Sequence, residues 1–302
     1  MAVNVNIDTA TRPIAALRME TQHQPAERAG RGLGQIVLYL ALIGLSILFL
    51  FPFLWLVLTS LRLPAKVFEP GFFPDPWHPR NYADVFESAP VARWLWNSFF
   101  VAAMGVISVV LSSSLVAYGF ARLRFRGRKP LFALVMATYL LPPMVTLIPT
   151  FLIWNELGAV NTTFPLWAGN LFGSAFYIFM LRQFFFTIPQ DLVDAARVDG
   201  AGFLRIYWNI MLPLVKPALA VVAVFEFQAK WNDLMTPLIY LNQPKLYTMA
   251  LGLATLKSET ATETNWALWM AASVVLTIPM VILFFLAQKH LVEGVATTGL
   301  KG

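Results

Sequence analysis

Residues 94–121 read WLWNSFFVAAMGVISVVLSSSLVAYGFA, a run of 28 residues without a charged side chain between Arg93 and Arg122. A helix that crosses the roughly 30 Å of hydrocarbon in a bilayer needs about 20 mainly apolar residues, so this run is long enough. The whole chain has the same character, because 58% of its 302 residues are hydrophobic and only 13% are charged. An ordinary soluble domain has about 25% charged residues. The sequence therefore predicts a membrane protein.

Four other stretches of 25 to 30 residues also lack charged side chains, and each can hold one spanning helix. They lie between Arg31 and Arg62, Lys129 and Glu156, Glu156 and Arg182, and Glu263 and Lys289. Prolines in the predicted spans should kink or interrupt the helices, and these prolines are Pro142, Pro143, Pro149, Pro237 and Pro279. Such breaks occur along transport pathways and equally as ordinary kinks of membrane helices.

A sixth apolar stretch, Pro217–Leu241, contains the charged residues Glu226, Lys230 and Asp233. Their spacings of four and three residues would place all three on one stripe of a helix. Charges on one stripe can pair with each other instead of facing lipid. We therefore predict an all-α polytopic membrane protein with six transmembrane helices in a permease domain of residues 33–290. The spans are placed at about 33–61, 94–121, 130–155, 161–181, 214–241 and 265–288, between tails of residues 1–32 and 291–302.

The distribution of basic residues predicts the orientation, because short cytoplasmic loops of membrane proteins are enriched in Lys and Arg. Residues 122–129 include five basic residues in eight, whereas the next loop, 156–163, has none. With residues 122–129 inside and six spans, both tails are cytoplasmic. Of the 22 basic residues, 15 then lie inside, six lie outside and Lys230 lies within a span. The positive charge thus reflects topology, and its place between apolar spans speaks against a nucleic-acid site.

The chain contains no signature of a catalytic or metal site. It has no cysteine, which excludes disulfides, thiol catalysis and thiolate metal sites, and its three histidines are far apart without an HExxH pattern. It has no GxxxxGK[ST] motif, so it cannot form a phosphate-binding P-loop. We expect no metal site, no directly bound cofactor and no enzymatic activity, and any ATP must be hydrolysed by other subunits.

The segment between spans 4 and 5 is more regular than a linker and reads IPQDLVDAARVDGAGFLRIYWNIMLP over residues 188–213. We predict a short amphipathic helix over Pro189–Gly200, a turn, and a second helix up to Pro213. The features behind this prediction are a proline at the start, acidic residues near the positive end of the helix dipole, apolar residues at helical spacing and a glycine stop. They are Pro189, Asp191, Asp194, Leu192, Ala195, Ala196 and Gly200.

Two alanines on the predicted apolar face leave little bulk, so another surface could approach the helix backbone closely. The alternative is a helix lying on lipid headgroups, which normally displays bulky apolar residues together with Lys or Arg. Asp191, Asp194 and Asp199 would instead oppose an anionic leaflet. We therefore favour a protein partner for this helix.

The residues Asp194-Ala195-Ala196, Gly200 and Ile210-Met211-Leu212-Pro213 resemble, in order and spacing, the EAA motif of ATP-binding cassette importer permeases. Asp194 stands where Glu is commoner in that family and keeps the carboxylate. Four further stretches are similar to the sugar-transporting, maltose-type branch, and the similarity runs from about residue 36 to the end of the chain. They are Phe51–Ser60, Trp231–Leu241, Tyr247–Leu253 and Val292–Gly302. The chain most resembles the second, six-span permease of the maltose-type pair.

This resemblance implies a subunit that pairs with a second permease and moves a carbohydrate, an oligosaccharide or sugar derivative, across the cytoplasmic (inner) membrane of a bacterium or archaeon. It also implies two cytoplasmic ATP-binding subunits, which hold the ATP and Mg, and an extracytoplasmic solute-binding protein. The loops Arg62–Arg93 and Asn242–Glu263 would receive that binding protein.

The resemblance further makes the helix Pro189–Gly200 a coupling helix that moves with an ATPase subunit. Asp194 would reach polar groups of the ATPase, Ala195 and Ala196 would allow close docking, and Gly200 would permit the turn. The matching residues of this coupling loop are Asp194, Ala195, Ala196, Gly200, Ile210, Leu212 and Pro213. In the C-terminal tail, Gly299, Lys301 and Gly302 would reach between the ATPase subunits, unless this end is simply frayed.

Glu226, Lys230, Trp231, Asn232 and Asp233 are candidates for the transport cavity or the seam between the two permeases, because ionisable groups at membrane depth are costly. A purely structural charge ladder is the alternative. An importer of a non-sugar solute would keep the EAA motif but should lose the Trp231-Asn232-Asp233 stretch. An intramembrane enzyme would need paired carboxylates, whereas seven residues of helix separate Glu226 from Asp233 by about 10 Å. A self-sufficient channel would need no docking helix.

Overall fold

The computed structural model describes residues 25–259 and 265–299, with side chains placed over 34–256 and 265–289. Every regular element in these ranges is helical, and they contain no strand, which confirms the predicted all-α class for this part of the chain. The first five α-helices along the chain are Pro25–Ser60 (α1), Asn81–Ser88 (α2), Val91–Arg122 (α3), Arg128–Tyr139 (α4) and Pro143–Glu156 (α5). After these come Pro165–Ala168 (α6), Ala175–Thr187 (α7), Gln190–Val198 (α8), Phe203–Ile206 (α9), Leu212–Leu214 (α10), Lys216–Trp231 (α11), Met235–Tyr240 (α12), Met249–Glu259 (α13) and Trp266–Gly299 (α14).

Several of these helices are long and apolar enough to cross a bilayer. Three of them are unbroken, namely Gly34–Ser60 of α1, the whole of α3, and Trp266–Lys289 of α14. Two further candidates are bent pairs, α4 with α5 at 98° and Phe203–Leu214 with α11 at 79°. Helix α7 is apolar but has only 13 residues. This set of helices is that of a multi-pass membrane protein.

The 98° bend between α4 and α5 occurs at two successive prolines. Helix α4 ends at Tyr139, and α5 begins at Pro143 directly after Pro142. Proline cannot donate the backbone hydrogen bond that would continue α4, but it suits the first turn of the next helix. Pro149 and Pro279, in contrast, lie inside α5 and α14, which continue past them.

The fourth predicted span, 161–181, is not a continuous helix. Helix α6 is followed by a 3-10 turn at Gly169–Phe172, and α7 begins only at Ala175. Gly173 has a φ of 81°, which residues with a Cβ rarely adopt, and a Cβ there would lie 3.1 Å from Cδ1 of Ile178. The prediction of one spanning helix over 161–181 did not anticipate this break, because the absence of charge does not reveal a glycine with positive φ.

The N-terminal helix α1 begins at Pro25, within the segment predicted to be a tail, and residues 1–24 lie outside the described chain. Side chains of residues 34–55 are exposed, among them Phe49, which is 71% exposed. A helix that is hydrophobic on all sides suits contact with lipid or with other membrane helices.

Helix α3 lies at the centre of the unit that begins at Leu56, and it packs against α6, α7 and α11. Its C-terminal half shares one buried cluster with α7, α8, α11 and the segment Tyr207–Met211, and this cluster includes Phe185 and Val193. Its N-terminal end packs with α2, α13 and α14 around Trp94. This arrangement connects the EAA segment, which we define as residues 189–213, to the centre of the fold.

Candidate functional site

The EAA segment forms a helix, a turn and a second, irregular helix. Helix α8 covers Gln190–Val198, within the predicted bounds. Gly200 follows two residues after its end, and the φ of 80° at Gly200 allows the backbone N–H of Ala201 to donate to the carbonyl of Ala196 at 2.9 Å. The second helix consists of α9, a π-helical segment Tyr207–Met211, and α10. The glycine thus provides the turn that the sequence predicted there.

The two alanines of the motif point in different directions. Ala196 and Val193 are buried, at 9% and 0% exposure, and pack into the protein's own core. Ala195 is exposed, as are Leu192 at 46% and Val198 at 88%. The prediction that Ala195 and Ala196 share a docking face is therefore wrong, because neighbouring residues of a helix lie about 100° apart. Only the outer face around Ala195 is accessible to a partner.

Asp194 lies on the exposed side of α8 and is held by its neighbours. Its Oδ1 accepts hydrogen bonds from Arg197 Nη1 and Gln190 Nε2, both at 3.1 Å, and its side chain is 55% exposed. An exposed ion pair within one helix contributes little to stability, about 0.3–0.5 kcal/mol. Asp194 is thus oriented by Arg197 and Gln190 and still open to a polar partner.

The motif residues of the second helix attach the EAA segment to the core. Met211 is fully buried, and Ile210 and Leu212 are partly buried against the same cluster. Pro213 is exposed in α10. These residues therefore form a base for α8, distinct from the outer face that it presents.

A row of polar side chains on α3 contacts the EAA segment and was not predicted from the sequence. The Ser114 hydroxyl lies 2.7 Å from the Tyr207 hydroxyl, and the Tyr118 hydroxyl donates to the carbonyl of Phe203 at 3.1 Å. Arg122 donates to Gln190 Oε1 at 2.6 Å, and also to the carbonyls of Phe185 and Ile188. The spacing of four residues between Ser114, Tyr118 and Arg122 was the only sign of this row in the sequence. Arg122 was interpreted only as part of a basic loop.

Glu226 and Lys230 lie inside this chain, between α11, α3 and the α6–α7 region. Glu226 is 6% exposed, and its Oε1 lies 3.8 Å from Lys230 Nζ and accepts a hydrogen bond from Asn170 Nδ2. Lys230 also donates to the carbonyl of Leu166 at 2.8 Å. Gly105 of α3 makes room, because a Cβ there would lie 3.0 Å from Lys230 Cγ. Through these contacts the charge pair joins α11 to α3 and to the α6–α7 region.

The predicted stripe of three charges does not form, because α11 ends at Trp231 and Asp233 lies beyond it. Asp233 instead accepts a hydrogen bond from the backbone N–H of Thr236 at 3.1 Å, at the start of α12. Trp231 is buried and donates to the carbonyl of Leu276 on α14 at 3.0 Å. Of the five pathway candidates, Asn232 is exposed, Lys230 and Asp233 are partly exposed, and Glu226 and Trp231 are buried.

The segment after α12 is fastened to the N-terminal end of α3 through its backbone. Trp94 Nε1 donates to the carbonyl of Pro244 at 2.8 Å, and Asn97 Nδ2 donates to the carbonyls of Lys245 and Tyr247 at 3.0 and 2.9 Å. The backbone N–H of Met249 donates to Ser98 Oγ at 2.7 Å. Within the described residues, the predicted loop Asn242–Glu263 therefore includes helix α13 and is attached to α3.

The predicted contact of the C-terminal tail with the ATPase subunits falls outside the described side chains. Helix α14 extends to Gly299, whose backbone is described, whereas Lys301 and Gly302 lie outside the described chain. Their proposed contact with ATPase subunits stays a prediction. In the part of the chain that the structure covers, no group of His, Asp and Glu side chains is arranged to hold a metal ion.

Comparison with known proteins identifies the family. Residues 113–297 match the sequence profile described as binding-protein-dependent transport system inner membrane component. The match covers more than half of the chain and contains the whole EAA segment. The chain belongs to this family. The family predicted from the EAA motif is thereby confirmed, and the protein is a permease of an ATP-binding cassette importer.

Relatives of this permease are similar over most of their length. It is 33% identical to the arabinooligosaccharides transport system permease protein AraQ of Halalkalibacterium halodurans, over 83% of this chain and 91% of that one. It is 30% identical to the maltodextrin transport system permease protein MdxG of Bacillus subtilis, over 90% of this chain and 98% of that one.

Solved structures share the fold. A chain of a bacterial ABC transporter involved in the import of the acidic polysaccharide alginate matches with a TM-score of 0.76 and 24% identity, over 87% of this permease and 97% of that chain. The alginate transporter in complex with an alginate pentasaccharide-bound periplasmic protein matches with a TM-score of 0.60 and 18% identity, over 85% and 94%. The described helices therefore share the fold of these transporter chains.

Proposed function

We propose that this permease pairs with a second permease to form the pathway for an oligosaccharide or related carbohydrate, driven by ATP hydrolysis on two separate subunits. The observation that carries the proposal is the exposed outer face of α8, on an EAA segment anchored to the core, in a chain without a P-loop. The carbohydrate class is supported by the relatives named for arabinooligosaccharides and maltodextrin. A non-sugar solute in the same class of transporter is the alternative.

The proposed topology has six spans with both termini in the cytoplasm. Counting each bent pair as one span gives five, and the broken region α6–α7 supplies the sixth. The proposed orientation rests on the 15 to six distribution of basic residues, which places residues 122–129 and the EAA segment on the cytoplasmic side.

The proposed mechanism is alternating access. ATP binding closes the partner ATPase subunits, α8 moves with the subunit on which its outer face docks, and the attached helices change the access to the membrane cavity. Ala195 would allow close approach and Asp194 would offer a carboxylate to the ATPase surface, while Ala196 would keep α8 attached to its own chain. ATP and Mg would be held by the partners, and this chain would hold no cofactor.

An extracytoplasmic binding protein is the proposed donor of the carbohydrate. The alginate transporter structure includes a periplasmic protein with bound pentasaccharide, which supports a partner of this kind. The segments Arg62–Arg93 and Asn242–Glu263 are the proposed contact. The second segment is attached to α3 through its backbone carbonyls, for example by Asn97, and it packs against the first around Val85 and Met249, which would provide a firm surface.

The test is Ala195→Trp in the complete importer, with Arg126→Trp as the control, because Arg126 is also exposed but lies in the loop 122–129. We measure uptake of labelled maltodextrin and arabinooligosaccharides by cells, and ATP hydrolysis of the purified complex with its loaded binding protein. Bulk on the outer face of α8 should reduce uptake and stimulated hydrolysis by about tenfold or more, the size expected at an interface hot spot. Arg126→Trp should leave both near the unchanged level.

Failure of the unchanged importer to transport either probe would contradict the carbohydrate assignment. Normal uptake and normal stimulation with Ala195→Trp would contradict the docking role of α8. A shortage of Ala195→Trp protein in the membrane is not expected, because Ala195 is exposed and makes no part of the core.

A further inference from the structure

Helix α3 presents three hydrogen-bonding side chains, one per turn. They contact the EAA segment and the end of α7 just before it. Ser114, Tyr118 and Arg122 are each four residues apart and therefore lie on one face of the helix. We call this row the α3 clamp. In order, its members contact the π-helical segment at Tyr207, the first residue of α9 at Phe203, and the junction before α8.

Two members of the α3 clamp are enclosed in the core, where hydrogen bonds are strong because the local dielectric constant is low. Ser114 is fully buried and Tyr118 is 2% exposed. The ring of Tyr118 also packs against the rings of Tyr207, at 5.3 Å between centroids, and Phe185, at 6.1 Å. The hydroxyl of Tyr118 is therefore held in position to donate to the carbonyl of Phe203.

Arg122, at the C-terminal end of α3, binds the end of one helix and the start of the next. Its guanidinium donates to the carbonyls of Phe185 and Ile188, which lie in the last turn of α7 and just after it. Carbonyls at a helix C-terminus lack intrahelical partners and carry partial negative charge, so a guanidinium is well suited to them. Hydrogen bonds of this kind, to a charged donor, are about twice as strong as neutral ones.

Arg122 is also connected to the acidic residue of the EAA motif. It donates to Gln190 Oε1 at 2.6 Å, and Gln190 Nε2 in turn donates to Asp194 Oδ1 at 3.1 Å. Gln190 thereby joins α3 to the exposed face of α8. A displacement of Asp194 by a docked partner would be opposed by this chain of hydrogen bonds.

We propose that Ser114, Tyr118 and Arg122 are positioning residues that make α8 and α3 move as one body, so that displacement of α8 reaches the centre of the permease. The proposal rests on the proposed function, in which α8 docks on an ATPase subunit. It gives the α3 clamp a role in transmission that the EAA motif itself does not describe. Without the clamp, the linkers on both sides of α8 would absorb the displacement.

The test measures the distance between α8 and the end of α3 directly. Because the chain contains no cysteine, spin labels can be placed at Asp199→Cys and Arg124→Cys, two exposed positions outside the clamp. Pulsed electron paramagnetic resonance then reports the distance in the full complex before and after Mg-ATP is added. In the unchanged permease, we expect one narrow distance that Mg-ATP does not alter. In Arg122→Gln and in Tyr118→Phe, we expect the distribution to broaden and to shift with Mg-ATP.

Control variants separate the clamp from general effects. Arg126→Gln removes an exposed guanidinium from the same loop, and Tyr139→Phe removes a hydroxyl from an exposed tyrosine in α4, so both should behave like the unchanged permease. Arg122→Lys keeps the charge and should restore much of the narrow distance. The same samples should show ATP hydrolysis that persists while labelled oligosaccharide transported per ATP falls about tenfold, equivalent to about 1.4 kcal/mol.

The proposal is overturned if Tyr118→Phe and Arg122→Gln keep a narrow, nucleotide-independent distance. If Arg122→Gln does not assemble, Tyr118→Phe decides alone, because it removes only one oxygen atom. A merely structural role would lower the amount of assembled complex without changing the distance. If the ATPase subunits do not bind the unchanged permease at all, the proposed function fails instead.

Discussion

Gly252 illustrates how a single missing side chain determines the packing of two elements. It lies in α13 opposite Trp94 of α3, and a Cβ at Gly252 would overlap the indole ring. The same indole donates to the carbonyl of Pro244, so it cannot move aside without losing this hydrogen bond. The close approach of α13 to α3 therefore requires glycine at this position.

We predict that Gly252→Ala lowers the free energy of unfolding by about 1–3 kcal/mol, the usual effect of overpacking a core. Gly119→Ala is the matched control, because Gly119 lies in α3 with open space around its Cα and alanine favours helix. Thermal unfolding of the purified protein in detergent should give a lower midpoint for the first variant only. Equal midpoints for both would mean that α13 does not pack on Trp94 as described.

At the scale of elements, the charge pair Glu226–Lys230 joins α11 to the α6–α7 region and to α3. Lys230→Met alone would leave the carboxylate of Glu226 buried without its cation, whereas Glu226→Gln with Lys230→Met leaves no charge. We predict that the double variant is less destabilised than the sum of the two single variants, with a coupling energy of about 1–3 kcal/mol. Thermal unfolding of the four proteins gives this number.

Asp233 provides the control for that cycle. It contacts the backbone of Thr236 and lies beyond the end of α11. Asp233→Asn and Lys230→Met should therefore have additive effects, within about 0.5 kcal/mol. A large coupling between Lys230 and Asp233 would restore the stripe of three charges that the sequence suggested.

The bounds of a helix could be predicted where local residue spacing determines them, and could not where contacts between distant residues do. The core of α3 over residues 94–121 was predictable because an uncharged run of that length has few alternatives. Helix α8 and the turn at Gly200 were predictable from local signals. The break at Gly173 and the end of α11 at Trp231 were not predicted, because glycine also occurs inside membrane helices and Asp233 was interpreted as part of a helical stripe of charges.

Side-chain direction within the EAA segment was the other feature that sequence alone could not give. Ala195 and Ala196 are chemically identical, and only the packing of Val193 against the core determines which of them faces outward. The α3 clamp was hidden for a similar reason, since its contacts with Phe203 and Ile188 are made to backbone carbonyls far away in sequence.

At the scale of the whole molecule, the proposed six-span topology makes opposite sides of the membrane accessible to different loops. We predict that single cysteines at Arg126 and Ala254, both exposed, react with a membrane-impermeant thiol reagent from opposite sides. In intact cells, only the cysteine at position 254 should be labelled, and that at position 126 should require permeabilised cells. Labelling of both in intact cells would contradict the topology.

The hydrogen bonds between α3 and residues 244–247 restrict the path of this loop more than its sequence. Trp94 and Asn97 bind only the backbone carbonyls of Pro244, Lys245 and Tyr247, which every amino acid possesses. The exposed side chain of Lys245 is therefore not constrained by these bonds. Divergent permeases could keep the path of this loop while changing its surface chemistry, so new docking specificities could arise without a new scaffold.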